Sequence, residues 1–451
     1  MRRRQSAAPA RLGWDERLTT GAVVVLLFAG HGLYGADSWS LALRLTAGAG
    51  LLLVAIALQG WSGEAVARTA RASVLPLSLF GLTLLLVAPI PGLADLGRPD
   101  WVRLDTSAAL LETLKLLGLA AFAAIGCLIA ARDQRARLTL ELLLAAALLY
   151  DVYAVVAFRL FPHTVVASQK VQFLDRLTGT FYSPNVAATF LGMNAVLATG
   201  AVLDRLKPAF DPAFNRSRVR PESAWFPMLV LAATLFTCVL TASRAGIAAT
   251  IAAVAILGLM EAGARRWSLG KGLLVVAPLV VIVLAGVVIS GSPVAARMAH
   301  LSSSDRTPLY KLSWEAFLRS PLRGWGLGSF DHVNMSALTP QTYIFAWNAR
   351  SAHNIELQWL EEAGALGALA MFATVLSLMG AALMGVVRRR RMTTWLRTLL
   401  AASLLVILHS QTDFALQNPS VAAQWAVLLG LGLGLSVPRS KGSSRRTRDE
   451  T

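Results

Sequence analysis

The chain has 451 residues, 55% of them hydrophobic and 15% charged, with a mean hydropathy of +0.58. That balance excludes an ordinary soluble protein, because its apolar runs reach the roughly 20 residues a helix needs to span a bilayer. The formal charge of +17 would suggest nucleic acid in a soluble protein; here it reads as the basic loops that orient a membrane protein, with no nucleic-acid partner.

Met1-Arg-Arg-Arg4 resembles the start of a signal peptide, but a second apolar run begins at Leu41, so the first segment reads as an uncleaved helix. Twelve spans are expected, near 18–35, 41–60, 73–91, 108–131, 138–161, 184–203, 225–242, 245–262, 272–290, 355–387, 395–412 and 419–437. In lipid only helices or closed barrels satisfy the backbone, and runs this long are not barrel strands. The turns at Pro89-Ile-Pro-Gly92 and Asn418-Pro419 mark helix ends. With the N-terminus inside, the cytoplasmic segments carry 28 Lys and Arg and the outer segments 11, which favours N-in and C-in. The fold class is therefore an all-α polytopic membrane protein with about 12 transmembrane helices. It divides into a basic cytoplasmic tail (1–17), spans one to nine (18–290), a large partly helical periplasmic loop (291–354), spans ten to twelve (355–437) and a basic cytoplasmic tail (438–451). The loop reads as an amphipathic helix from Arg306 to Arg319, with Leu309, Leu312, Trp314 and Phe317 on its apolar positions, then a glycine-punctuated turn, Gly324-Trp-Gly-Leu-Gly328. Cys127 and Cys238 both lie inside apolar segments and suggest neither a disulfide framework nor a metal site.

Polar groups gather at the outward helix ends. Asn348, Arg350, Ser351, His353 and Asn354 lead into span ten, and Gly179 to Asn185, including Tyr182, leads into span six. Thr241-Ala-Ser243-Arg244 forms a very short outer turn, Asp305-Arg306 opens the loop helix, and His409-Ser-Gln-Thr-Asp413 closes span eleven. Arginines beside helix N-termini suit phosphate, and a histidine can accept a hydroxyl proton near neutral pH. Together they suggest a reaction on a phosphorylated, membrane-embedded substrate. Proton removal would fall to His353, and charge stabilisation on a departing pyrophosphate to Arg244 and Arg306. The bland readings are an interfacial or capping histidine and snorkelling arginines. Tyr182, Asn185, Ser243, Arg350, Asn354 and Asp413 are expected to bind substrate or support the site. Within spans, Asp151 stands beside Tyr150, and Glu112 and Lys115 are one turn apart and able to pair. There is no Asp-x-Asp pair, P-loop, His-Glu-x-x-His or Gly-x-Ser-x-Gly.

Several of these stretches resemble the O-antigen ligase superfamily, which includes O-antigen polymerases and protein O-oligosaccharyltransferases. They are Thr180-Phe-Tyr-Ser-Pro-Asn185, Thr241-x-Ser-Arg244-x-Gly246, Arg306 followed by Trp314, Gly324-x-Gly-x-Gly-x-Phe330, and His353-Asn-x-x-Leu357 with Glu362-x-Gly364-x-x-Gly367. The resemblance covers roughly 175–385. It implies a metal-independent, inverting glycan transfer without a cofactor, on the periplasmic face of the bacterial inner membrane. The donor would be an undecaprenyl-pyrophosphate-linked glycan, and the acceptor a glycan or lipid A–core. By motif position, His353 resembles the catalytic histidine, and Arg244 and Arg306 the pyrophosphate-binding arginines. His409-Ser-x-x-Asp413-Phe-x-Leu416 is similar to an element in members from exopolysaccharide clusters. Ligase and polymerase differ only in acceptor, and both stay open here. A transporter of lipid-linked glycans would show paired broken helices or similar halves. Neither is visible, and an assembly subunit leaves the histidine–arginine set unexplained.

Overall fold

A computed structural model describes residues 12–61, 63–94, 96–99, 104–210, 224–265, 306–389 and 391–438. The ninth expected span, 272–290, and the start of the long loop, with Asp305, lie outside them. The first half of the chain folds as α1 (Trp14–Gly32), α2 (Trp39–Leu58), α3 (Gly63–Ala72), α4 (Val74–Val87), α5 (Thr106–Ile129) and α6 (Asp133–Leu160). A two-residue hairpin, β1 (Thr164–Val165) with β2 (Ser168–Gln169), precedes α7 (Pro184–Phe210), α8 (Trp225–Leu240) and α9 (Arg244–Arg265). Three short helices follow, α10 (Thr307–Arg319), α11 (Phe330–Ser336) and α12 (Pro340–Ala346), and then α13 (Ile355–Arg388), α14 (Thr393–Ser410) and α15 (Pro419–Ser436).

Among the described residues eight helices are long and apolar enough to cross a membrane: α2, α5, α6, α7, α9, α13, α14 and α15. The pair α3–α4 bends by 56° and makes a ninth if taken as one broken span. α8 is apolar but only 16 residues long. The protein is an all-α, multi-pass membrane protein.

Two helices occupy the centre. The apolar stretch of α7 is wholly enclosed, and α15 is buried over most of its length. α15 lies against α5 with backbones nearly touching, because glycines remove the side chains between them. A Cβ on Gly126 would stand 2.3 Å from the Val427 carbonyl oxygen, and one on Gly434 2.4 Å from that of Cys127. Without a hydrophobic force between helices in lipid, this close approach is the main source of attraction. The Glu112–Lys115 pair expected from sequence forms at 2.7 Å, on α5. Asp151 is buried in α6 and accepts the Thr234 hydroxyl at 2.6 Å.

α13 is not one continuous helix. Gly364 has φ +65° and ψ −180°, so the ladder of hydrogen bonds breaks there. The freed groups are satisfied by the loop after α10. Trp325 and Gly326 donate their N–H groups to the Glu361 and Glu362 carbonyls at 3.0 and 2.7 Å, and Ala365 donates to Pro321 at 2.8 Å. Irregular backbone at a span end is tolerated only where protein supplies such partners. Gly364→Ala would adopt a left-handed φ and place its Cβ 2.4 Å from the Leu322 carbonyl carbon. We expect this substitution to cost about 3 kcal/mol or more, read as a fall in melting temperature of the purified protein. Wild-type melting behaviour would mean the break is not a fixed feature.

α10 buries Leu309, Leu312, Ser313 and Ala316. The expectation that Trp314 belongs to the apolar face is corrected: the residue is 45% exposed and its ring packs on Phe317. One turn spans 3.6 residues, so a stripe through 309, 312 and 316 leaves position 314 on the far side.

Candidate active site

Five connections meet at one end of the bundle. Asp413, in the link from α14 to α15, is fully buried and lies at their centre. Its Oδ2 accepts the Asn185 side-chain N–H at 2.6 Å, from the first turn of α7. Arg176 fixes that amide's direction by donating to Asn185 Oδ1 at 3.2 Å, while its Nε–H donates to the Thr241 carbonyl at 2.8 Å. Arg176 therefore joins the loop before α7 to the turn between α8 and α9. Arg176 is not among the residues singled out from sequence.

His353 Nδ1 lies 4.0 Å from Asp413 Oδ2, and the Arg306 guanidinium 3.9 Å from the same oxygen. Neither is yet a hydrogen bond by distance, and catalytic contacts in an empty site tighten when substrate arrives. Nδ1 is buried without a hydrogen-bond partner, whereas the side chain is 29% exposed, so Nε2 is the accessible nitrogen. The ring packs edge-on against Phe414 at 4.9 Å.

His353 has φ +52°, a conformation few non-glycine residues adopt. Three contacts hold it. Asn354 caps α13 by accepting the Leu357 N–H at 2.9 Å, and its own amide donates to the Gln411 carbonyl at 3.1 Å. The Tyr310 hydroxyl, one turn after Arg306, lies 3.3 Å from the His353 carbonyl and 3.4 Å from that of Gln411. Gln358 accepts the Ala352 N–H at 3.2 Å and donates to Glu362 Oε1 at 2.9 Å. The Gly328 N–H donates to the other Glu362 oxygen, at 2.7 Å. The glycine turn is thereby connected, through Glu362 and Gln358, to the residue before His353.

Burial, and then the positive charge of Arg306, lower the His353 pKa to about 4. The imidazole is neutral at physiological pH and able to accept a proton. Burial acts oppositely on Asp413, raising it to about 6 against the opposing effects of Asn185 and Arg306. Asp413 therefore carries its charge above about pH 6 and loses it below. If that charge orients His353, activity should fall as pH drops through about 6, well before His353 itself protonates. A kcat/KM profile tests this, and a flat profile down to pH 5 would exclude a role for the ionised carboxylate.

The remaining residues singled out from sequence are placed as follows. Arg244 is the first residue of α9 and half-buried. Ser243 is buried and caps that helix, accepting the Gly246 N–H at 3.3 Å. Tyr182 is half-exposed and stacks on Tyr34 at 5.5 Å, turned toward the link between α1 and α2. Arg350 is exposed, and its charge acts on Asp37 and Asp331 rather than on Asp413. The structure thus brings His353, Asn354, Arg306, Asn185 and Asp413 together, while Tyr182 and Arg350 face other neighbours. Among the described residues no three His, Cys, Asp or Glu side chains form a metal-holding group.

The family model for O-antigen ligase matches residues 229–372, a segment that includes Arg244, Arg306 and His353. Over that segment the chain is similar to the O-antigen ligase family. No curated protein matches it. The match supports a glycosyltransferase-like role in O-antigen and polysaccharide assembly; the family's substrates are in general lipid-linked glycans and polysaccharide acceptors. Asn185 and Asp413 lie outside the matched segment, yet Asp413 stands 4.0 Å from the histidine inside it and is held by Asn185.

Proposed function

We propose that this protein transfers a glycan from undecaprenyl pyrophosphate to an acceptor sugar hydroxyl, as an O-antigen ligase acting on the periplasmic face of the inner membrane. The observation that carries the reading is the neutral His353 and the Arg306 guanidinium set 4.0 and 3.9 Å from the same oxygen of the buried Asp413. Twelve spans with both termini in the cytoplasm, as the basic residues favour, would put this end of the bundle outside.

In this reading His353 Nε2 takes the acceptor hydroxyl proton, and Asp413 holds Nδ1–H and stabilises the imidazolium that forms. The acceptor oxygen attacks the anomeric carbon, the bond from that carbon to the phosphate oxygen breaks, and undecaprenyl pyrophosphate departs with the negative charge. Arg306 and Arg244 stabilise that charge. A single displacement inverts the anomeric centre. Asn185 keeps Asp413 in place, Asn354 and Tyr310 keep His353 in place, and no metal ion is called on.

The test is an assay of purified protein in nanodiscs with EDTA, supplied with undecaprenyl-pyrophosphate-linked glycan and either lipid A–core or a second copy of the donor. Product on lipid A–core supports the ligase. A ladder of longer lipid-linked chains would replace it with a polymerase, and no product from folded protein with either acceptor would overturn the transferase reading as stated.

A further inference from the structure

The side of α10 turned away from its buried stripe carries large apolar side chains in the open. Trp314, Leu318 and Leu322 are 45, 56 and 54% exposed. Positions 314 and 318 lie one turn apart on the helix, and 322 continues the row just beyond its end. A second exposed row, Lys311, Glu315 and Arg319, runs beside the first. α10 therefore has three sides: one packed on the protein, one apolar and open, one charged and open. A contiguous open apolar row marks an interaction surface, and a charged row beside it suits a helix lying at a bilayer surface.

What covers the apolar row follows from where α10 ends. The Leu366 N–H of α13 donates to the Leu322 carbonyl at 3.3 Å, so Leu322 stands against a membrane-spanning helix. Leu366 and Leu369 of that helix are 44 and 64% exposed, as befits residues that face lipid. α13 is 34 residues long, whereas about 20 residues cross the hydrocarbon core. Counted back from Arg388, the basic residue that closes the helix, the core ends near Leu369. Leu366, about 5 Å further by the helical rise, falls in the headgroup layer, and Leu322 falls there with it. The row from Leu322 through Leu318 to Trp314 thus continues the lipid-facing side of α13.

We propose that Trp314, Leu318 and Leu322 form a membrane-docking surface, inserted among the lipids of the leaflet on the side of the candidate active site. Lys311 and Arg319, in the neighbouring row, keep their charges at the level of the lipid phosphates. Arg306 immediately precedes the same helix, and the Tyr310 hydroxyl on it lies 3.3 Å from the His353 carbonyl. The contact with lipid therefore sets the height of the site above the bilayer. It needs no substrate and stands whether or not the protein transfers a glycan.

The experiment uses the full chain in nanodiscs of phosphatidylethanolamine and phosphatidylglycerol. Leu318→Cys, Trp314→Cys and Glu315→Cys each carry a small fluorophore on the new thiol, the native Cys127 and Cys238 being buried. One quencher is a lipid with a nitroxide near the top of its acyl chain, and the other is iodide in the water. Labels at 318 and 314 should lose most of their fluorescence to the nitroxide and little to iodide, and a label at 315 should do the reverse. Position 314 answers alone if Leu318→Cys does not fold. Iodide quenching at 318 and 314 as strong as at 315 would leave the row in water and overturn the proposal. Protection from both quenchers would mean that protein, a second copy or another partner, covers the row, and would overturn it equally.

Discussion

Replacing His353 should abolish transfer while leaving the protein folded and inserted. A positioned general base contributes about 10²–10⁴-fold in rate, and the loss should fall on kcat rather than on donor KM, because the base acts on the acceptor proton. The choice of variant matters here. His353 has a positive φ, and asparagine is among the few residues at ease there. His353→Asn therefore removes the base while keeping the turn, whereas His353→Ala confounds chemistry with backbone strain. Both should be inactive. Transfer by a folded His353→Asn protein at a substantial fraction of the wild-type rate would remove the base assignment, and with it the reason for Asp413 to lie 4.0 Å away.

Arg306 and Arg244 should give the next largest losses, with a different signature. Each is assigned to charge developing on the departing diphosphate, where removal of a single donor typically costs about 10²–10³-fold. Arg306→Ala and Arg244→Ala should impair use of the lipid-linked donor more than use of the acceptor. Lysine should rescue only in part, since an ammonium lacks the flat two-pronged donor set. For Arg306 a further effect follows from its position. Its charge helps hold the His353 pKa down, so Arg306→Ala should let that pKa rise and move protonation of His353 toward neutral pH. Equal losses on donor and acceptor, together with unfolding, would mean that the arginines are structural.

The long helices were legible because apolar runs of membrane length leave the backbone one solution, and Asn354, Arg306 and His353 were legible because each stands beside a helix start. The breaks were less accessible. Apolar residues continue through Gly364, so periodicity reads α13 as one span; only the distant loop that receives its freed hydrogen bonds explains the interruption. Asp413 reads from sequence as a supporting residue, but its place beside His353 depends on a link 60 residues downstream, and no local spacing reports that. Arg350 stands three residues from His353 in sequence, yet its charge acts on Asp37 and Asp331, a placement that spacing does not report. Arg176 was overlooked because its importance lies in what it joins, and a solitary arginine in a polar loop carries no signal of that.

The exchange of hydrogen bonds at Gly364 bears on how this protein can be divided. Residues 321–326 exchange backbone hydrogen bonds with the broken span: Pro321 and Leu322 accept from Ala365 and Leu366, and the span supplies the carbonyls that receive Trp325 and Gly326. A fragment cut to contain only the external segment around 306–354 would lose the Glu361 and Glu362 carbonyls that receive Trp325 and Gly326, and the Glu362 carboxylate that receives Gly328. It should therefore not behave as an autonomous module, and grafting that segment onto a relative should keep its fold only when the first part of α13, through Ala365, travels with it.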